Sequence, residues 1–367
     1  MKLFSCGACQ HVVHFENSQC TSCGHALAFL PDRSLMTAIE PVAEAPGIFT
    51  ALAPWADRAR YKLCGNQLDH NACNWAVPET DQHRFCRACR LNEVIPNLSH
   101  TKAKDAWMKL EQAKRRMVYT LLDLGLPVDP LNENPKGLAF AMKEDQPSEK
   151  VMIGHDSGLI TINIAEADSP FREKMRLELG ETYRTLLGHF RHEIGHYYWD
   201  RLIADSPLVE GFRALFGDER ASYELALQNH YQNGAPRDWP LRFVSSYASM
   251  HPWEDWAESW AHYLHMVDTL ETARSFGVAL RPQVASGAAQ APKETAKLQV
   301  GMRGLAFDDF DDLLKAWVPL TVALNSFNRA MGLQDLYPFV LAEPAMKKIR
   351  FVHDVIERVQ VPARKAA

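Results

Sequence analysis

Two stretches of this 367-residue chain combine residue types and spacings that can do chemistry. The first is His192-Glu193-Ile194-Gly195-His196, two imidazoles four residues apart with a carboxylate between them. Residues four apart on a helix share a face, so both rings can reach one metal ion. Glu193 is rotated by about 100° from His192, close enough to draw a proton from a metal-bound water without being a ligand. A catalytic zinc takes three protein ligands and keeps a fourth position for water, so a third ligand is required. The second stretch, HPWEDWAESWAHYLH over residues 251–265, places Glu254 and Glu258 one helical turn apart, with Ala257 and Ala261 beside them. One acid can ligate the metal while the other accepts a hydrogen bond from a ligand histidine; residue types alone leave their order open. A rival arrangement puts His230 or His251 on the metal, and the bland one is an amphipathic helix with two surface histidines.

All eight cysteines lie in the first 89 residues. Cys6-x2-Cys9 and Cys20-x2-Cys23 are two tight knuckles ten residues apart. A two-residue gap lets both sulfurs of a knuckle reach one Zn²⁺ at about 2.3 Å, and two knuckles complete a tetrahedron. Gly7 and Gly24 suit the tight turns this needs. The second group, Cys64-x8-Cys73-x12-Cys86-x2-Cys89, has only one tight knuckle, but it leaves no cysteine over and reads as a second four-cysteine zinc site. Disulfides are the alternative. A shell of four thiolates has no open position, so one or two structural zincs are expected, folding a segment too small to fold alone.

Several elements must position these groups. Apolar spacing predicts a helix over 101–124, extended segments over 137–142 and 151–164 with a turn at Asp156-Ser157-Gly158, and a helix over 171–202 broken near Gly180. Tyr183, Leu186, Leu187, Phe190, Ile194 and Tyr197 give the last of these its apolar face. Pro252 opens a helix to about Leu270, in which Trp253, Trp256, Trp260 and Tyr263 form a core stripe. Helices over 308–331, kinked at Pro319, and 343–359 close the chain. Prolines between Phe29 and Trp55 suggest linker, and residues 285–299 a surface loop. The pattern is α+β and mainly helical, divided as 1–28 (four-cysteine zinc ribbon), 29–98 (linker and second four-cysteine region) and 99–367.

A net charge of −5 argues against general attraction to nucleic acid or anionic membrane. Residues 58–116 hold twelve Lys/Arg against six Asp/Glu, a local basic excess that a four-thiolate zinc site weakens. No apolar run spans a membrane, the start lacks the core of a signal peptide, and a cytoplasmic protein with reduced thiols is expected.

Glu254-x2-Ala257-Glu258 resembles the second motif of gluzincin metallopeptidases, in which the first acid ligates zinc and the second supports a ligand. That resemblance implies Glu254 as ligand and Glu258 as support or alternative ligand. Tyr247 precedes Glu254 by seven residues; anthrax lethal factor is similar here, which implies an oxyanion-stabilising phenol. The metzincin pattern needs Gly at 199 and His at 202, where this chain has Trp199 and Leu202. The CGAC and CTSCG knuckles, Cys86-Arg87-Ala88-Cys89, the RHEIGHYYWDRL and PWEDWAESWAHYLH stretches and the tail from Asn328 to Phe339 together resemble a bacterial family of zinc-binding metallopeptidases with an N-terminal zinc ribbon. The resemblance implies a zincin-like peptidase domain with a small sheet, one catalytic zinc on His192, His196 and Glu254, Glu193 as general base, and a peptide or protein substrate. The alternative is a non-catalytic zinc protein whose ribbon region contacts nucleic acid or protein.

Overall fold

The computed structural model describes residues 2–53, 58–178, 184–280 and 309–366. The chain divides into two compact units, one over Lys2–Leu179 and Arg184–Arg201, the other over Leu202–Ala367.

The first unit begins with a two-stranded hairpin, β1 (Phe4–Ser5) and β2 (Val12–Val13). A five-stranded antiparallel meander follows: β3 (Ala26–Leu30), β4 (Leu35–Pro41), β5 (Ile48–Ala51), β6 (Arg60–Leu63) and β7 (Ala76–Pro78), with the short helix α1 (Gly65–His70) between the last two strands. The segment from Phe29, expected as linker, is therefore mostly sheet; Pro54 and Trp55 lie outside the described residues. Its prolines punctuate strand ends instead of preventing strands. Pro31 follows β3, Pro41 ends β4 and Pro46 sits in the turn before β5, positions that cost no ladder hydrogen bond. Ala28, Leu30, Ile39, Ala51, Tyr61 and Ala76 form one buried face of this sheet.

The meander is not an isolated module. Phe15, Phe29 and Trp75 pack edge-on or tilted, with centroids 4.7–6.0 Å apart, and Phe15 reaches Tyr119 at 5.2 Å. Tyr119 belongs to α2 (Thr101–Asp123), whose Trp107, Leu110, Met117, Val118 and Leu121 are fully buried. Each such side chain contributes about 1.5–3 kcal/mol of burial. Next comes a four-stranded sheet of β8 (Asn92–Val94), β9 (Ala139–Lys143), β10 (Gly154–Asp156) and β11 (Leu159–Asn163), in the order β10-β11-β9-β8. β9 runs parallel to both neighbours, while β10 is an antiparallel edge turned at Asp156-Ser157-Gly158, as the sequence suggested. After α3 (Ser169–Glu178), the unit ends with α4 (Leu186–Trp199), which packs on α2 and β10. The break expected near Gly180, and Tyr183, lie outside the described residues.

The second unit contains α5 (Val209–Phe216), α6 (Tyr223–Asn233), α7 (Pro252–Ser275), α8 (Phe310–Ala330) and α9 (Glu343–Ala366). α7 is its spine. Of the stripe expected from spacing, Trp256, Trp260 and Tyr263 are fully buried while Trp253 is only half-buried, and Trp256 meets Phe212, Phe216 and Phe351. A buried ion pair, Lys348–Asp255 at 2.5 Å, ties α9 to α7. Pro319, where the sequence predicts a kink, lies inside α8, which continues on both sides of it. Residues 285–299, expected as a loop, lie outside the described residues.

Candidate metal centres and active site

The two knuckles of the first cysteine group are built alike. Cys6 N donates to His11 O and Gln10 N to Cys6 O; in the second, Cys20 N donates to His25 O and Gly24 N to Cys20 O, all at 2.8–2.9 Å. Gly24 takes φ +75, the left-handed conformation a glycine adopts without cost, and Gln10 takes φ +62 in the equivalent place. Gly7 is required by space: a Cβ there would lie 2.3 Å from Thr37 Oγ1 and 2.8 Å from Ala53 N. The result brings Cys6 Sγ within 3.6 Å of Cys23 Sγ and Cys9 Sγ within 3.7 Å of Cys20 Sγ. Four sulfurs at about 2.3 Å from a tetrahedral zinc are about 3.8 Å apart, so the donor set fits that ion. His25 stands behind it, with Nδ1 3.3 Å from Cys23 Sγ and Nε2 3.1 Å from Glu40.

The second group converges too, despite its wide spacing. Cys73 Sγ lies 3.8 Å from Cys86 Sγ and 3.7 Å from Cys89 Sγ, and all eight ligand sulfurs fall into two sets of four, each set within 4.8 Å. α1 and β7 take up the long gaps: Cys64 precedes α1, Cys73 precedes β7 and Cys89 starts a 3₁₀ turn. Gly65 is needed next to Cys64, because a Cβ would meet the Phe85 ring at 2.8 Å. Unlike the first site, this one is wholly buried. Four thiolates with Zn²⁺ carry a net −2, which a buried site must offset. α2 supplies part of the offset. Arg115 donates to Ala72 O at 2.7 Å, and Lys114 pairs with Glu111 at 2.8 Å, whose other oxygen lies 3.6 Å from Cys89 Sγ. Burial alone would lower the Arg115 pKa, but the charges of Cys73, Glu111 and Cys89 raise it overall.

α4 starts at Thr185, whose hydroxyl accepts from Gly188 N at 3.0 Å. Phe190, Ile194, Tyr197 and Tyr198 bury its apolar side. On its other side His192 Nε2 and His196 Nε2 are 3.2 Å apart. Two nitrogens each about 2.05 Å from one zinc stand about 3.2–3.4 Å apart at near-tetrahedral angles, so the pair fits one ion. Glu193 is buried, with Oε1 3.3 Å from His189 Nε2. Burial pushes its carboxyl pKa up, but the His189 contact and the nearby His192 and His196 bring it net below the usual range. His189 thus touches the carboxylate of Glu193. His155 on β10 has its Nε2 occupied by the Gly158 N–H at 3.0 Å, and burial followed by His196 lowers its pKa to about 4. Asp200, four residues after His196, is exposed and 3.8 Å from His155.

On α7, Glu254 is buried and accepts a 2.8 Å hydrogen bond from Tyr223 of α6. Glu258 accepts from Ser245 Oγ at 2.6 Å, and Ser245 Oγ in turn accepts from Ala248 N at 3.1 Å. Ala248 lies in the 3₁₀ turn Tyr247–Ser249. Burial, then the charges of Glu254 and Tyr223, push the Tyr247 phenol far above its ordinary pKa, so it stays protonated. His251 caps α7: Nδ1 accepts from Trp253 N and Nε2 faces Ala221 O, both at 3.1 Å, which leaves neither nitrogen for a metal. His230 packs edge-on against Tyr247. His262 and His265 lie in the core around Tyr337 and Trp317. Tyr223, Ser245, Glu166 and His155 escaped sequence reasoning. Their roles depend on contacts 13 to 41 residues away in the chain, and no local pattern marks them.

Residues 103–355 match the family model described as "Putative zinc-binding metallo-peptidase". The chain belongs to this family. Residues 3–100 match a zinc-ribbon domain. Two relatives, an uncharacterized protein of Mycobacterium bovis and one of Mycobacterium tuberculosis, are each 41% identical over 361 residues, covering 98% of this chain and 96% of theirs. No solved structure matches. The zinc-binding metallopeptidase family and its N-terminal zinc ribbon accord with the two four-cysteine clusters and the α+β, largely helical architecture. No helix among the described residues is long and apolar enough to cross a membrane.

Proposed function

We propose that this family member is a zinc-dependent peptidase that hydrolyses peptide bonds, with zinc held by His192, His196 and Glu254 and Glu193 as general base. The observation that carries the reading is the 3.2 Å approach of the two Nε2 atoms beside a buried carboxylate. Zinc supplies Lewis acidity there, lowering the pKa of water toward 7 and polarising a carbonyl. Glu193 takes the proton of the attacking water and passes it to the leaving amine. Its depressed pKa keeps it ionised and ready to accept. Tyr223 fixes one oxygen of Glu254 and so the direction of the other. Tyr247, kept protonated, donates to the oxyanion. Glu258 acts as support, not ligand, by holding the turn that carries Tyr247. The two four-cysteine zincs remain structural. Free thiol clusters require a reducing compartment, and we place the enzyme in the cytoplasm.

The rival non-catalytic reading draws little from the basic segment. Arg84, Arg90, Arg116 and Lys114 are paired with carboxylates, and Lys62 and Arg115 donate to backbone carbonyls. The test is cleavage of a proteome-derived peptide library by the wild-type chain and by Glu193→Gln. The variant should bind three zincs per chain like the wild type and lose at least about 100-fold in turnover. Equal turnover by both proteins would overturn the assignment of the base.

A further inference from the structure

The peptidase reading uses Glu193 but leaves unexplained the charged residues stacked behind it. Glu166 sits on the 3₁₀ turn Ile164–Ala167 that leaves β11, capped by Asn163, whose side chain accepts from Ala165 N. Glu166 is 1% exposed, yet it is a carboxylate. Arg184, just before α4, donates to its Oε1 at 2.8 Å. Its Oε2 lies 3.7 Å from Nδ1 of His189, an ion-pair distance at which neither atom makes a hydrogen bond among the described residues, and Nε2 of His189 lies 3.3 Å from Oε1 of Glu193. The order is guanidinium, carboxylate, imidazole, carboxylate. The line crosses from the exit of the sheet to the helix bearing the HExxH residues, and it is almost entirely withdrawn from solvent. A chain of four ionisable groups, two buried and two half-buried, is costly unless each is compensated by the next, and apolar residues would fill the space more cheaply.

Its geometric consequence falls on Glu193. A glutamate's terminal torsion is broad and nearly two-fold, so an untethered carboxylate offers either oxygen in many orientations. Here Oε1 is held by His189, while Oε2, among the described residues, is buried with no hydrogen-bond partner. One oxygen is anchored and the other is left to receive a proton.

We propose that His189, braced by Glu166 and Arg184, is a positioning residue that fixes the Glu193 carboxylate with Oε1 tied and Oε2 available for proton transfer. The proposal rests on the peptidase reading of Glu193 and adds a residue that touches neither metal nor substrate. Its test uses the full-length protein, with zinc content measured in each preparation. His189→Ala should lower kcat on library-derived peptides about 10–100-fold, as loss of a supporting hydrogen bond does, with KM within about twofold and zinc content unchanged. His189→Gln keeps an N–H donor near the place of Nε2 and should recover most of kcat; Glu166→Gln should fall between. Crystal structures of the same proteins give a readout independent of turnover. Glu193 should hold one conformer in wild type and His189→Gln, and be displaced or split in His189→Ala. Unchanged kcat in His189→Ala, or a loss that tracks zinc and is not rescued by Gln, would overturn the proposal. So would an undisturbed Glu193 conformer in that variant. A wild-type chain that cleaves nothing would refute the peptidase reading alone, and the conformer comparison would still decide the role of His189.

Discussion

Glu254 and Glu258 are one turn apart on the same helix, yet their neighbours divide the labour. Tyr223 orients Glu254 with a 2.8 Å hydrogen bond, while Glu258 is spent on Ser245 and the turn carrying Tyr247. Glu254→Ala should therefore abolish zinc retention at the catalytic site under chelator competition, and Glu258→Gln should retain it with lower kcat. The reverse order would exchange their roles. Tyr223→Phe removes the bond that aims Glu254 and should weaken zinc affinity about tenfold, within the 10–100-fold usual for such supporting groups. Tyr247→Phe should leave zinc affinity intact and reduce turnover. Titration of zinc-free protein against a chromophoric chelator separates the two. Of these residues, the pairing of His192 with His196 around Glu193 is legible in sequence because its spacing is local, whereas the choice of Glu254 over Glu258 came only from the resemblance of their motif. Tyr223 is not, since it stands 31 residues before the carboxylate it holds, on another helix.

At the scale of the element, α4 and α7 are specified largely by their own sequences. Thr185 and Pro252 mark their starts, and apolar periodicity gives their buried faces. The start of α7 also settles a question of chemistry. His251 was one rival for the third metal ligand, but the helix uses both of its nitrogens, one on Trp253 N and one on Ala221 O. His251→Ala should cost about 1–2 kcal/mol, the loss of a helix cap and a buried hydrogen bond, with zinc stoichiometry unchanged. Denaturant unfolding monitored beside metal analysis checks it; loss of one zinc at full stability would restore His251 as a ligand. The strands between residues 26 and 51 were the element the sequence concealed. Four prolines between Phe29 and Trp55 suggested linker, and only the pairing of β3, β4 and β5 shows that those within the described residues fall where no ladder bond is lost.

For the molecule as a whole, stability should respond to both metal and pH. On the peptidase reading, chelators should remove the zinc proposed for His192, His196 and Glu254 first, because three protein ligands and an open position would hold it less tightly than four thiolates, while loss of the buried four-cysteine ion should unfold the first unit. Two separate unfolding or release phases on increasing chelator, the first without loss of circular dichroism, are the expected result. For pH, Glu166 is informative. Burial pushes its carboxyl up, but His189 and Arg184 outweigh it and bring the pKa from 4.5 down to about 2. The folded state thus holds the proton more weakly than the unfolded state. The stabilisation is fully present above the unfolded pKa and is lost as pH falls from about 4.5 through about 2. Glu166→Gln should unfold with a shallower pH dependence across that window, and identical slopes would contradict the shift. What the amino-acid sequence determined by itself was whatever depends on near neighbours: the knuckles Cys6–Cys9 and Cys20–Cys23, the helical pairing of His192 with His196, the strand turn at Gly158, and the core stripe of α7. The second four-cysteine site was legible only as four leftover cysteines; tertiary structure decided its geometry, with α1 and β7 folding gaps of eight and twelve residues onto one point and α2 bringing Arg115 and Lys114 to offset part of its charge. It also decided the line from Arg184 through Glu166 and His189 to Glu193. The reason is physical: a buried charge must find its counter-charge wherever packing places it, and packing is set by the whole chain, not by spacing along it.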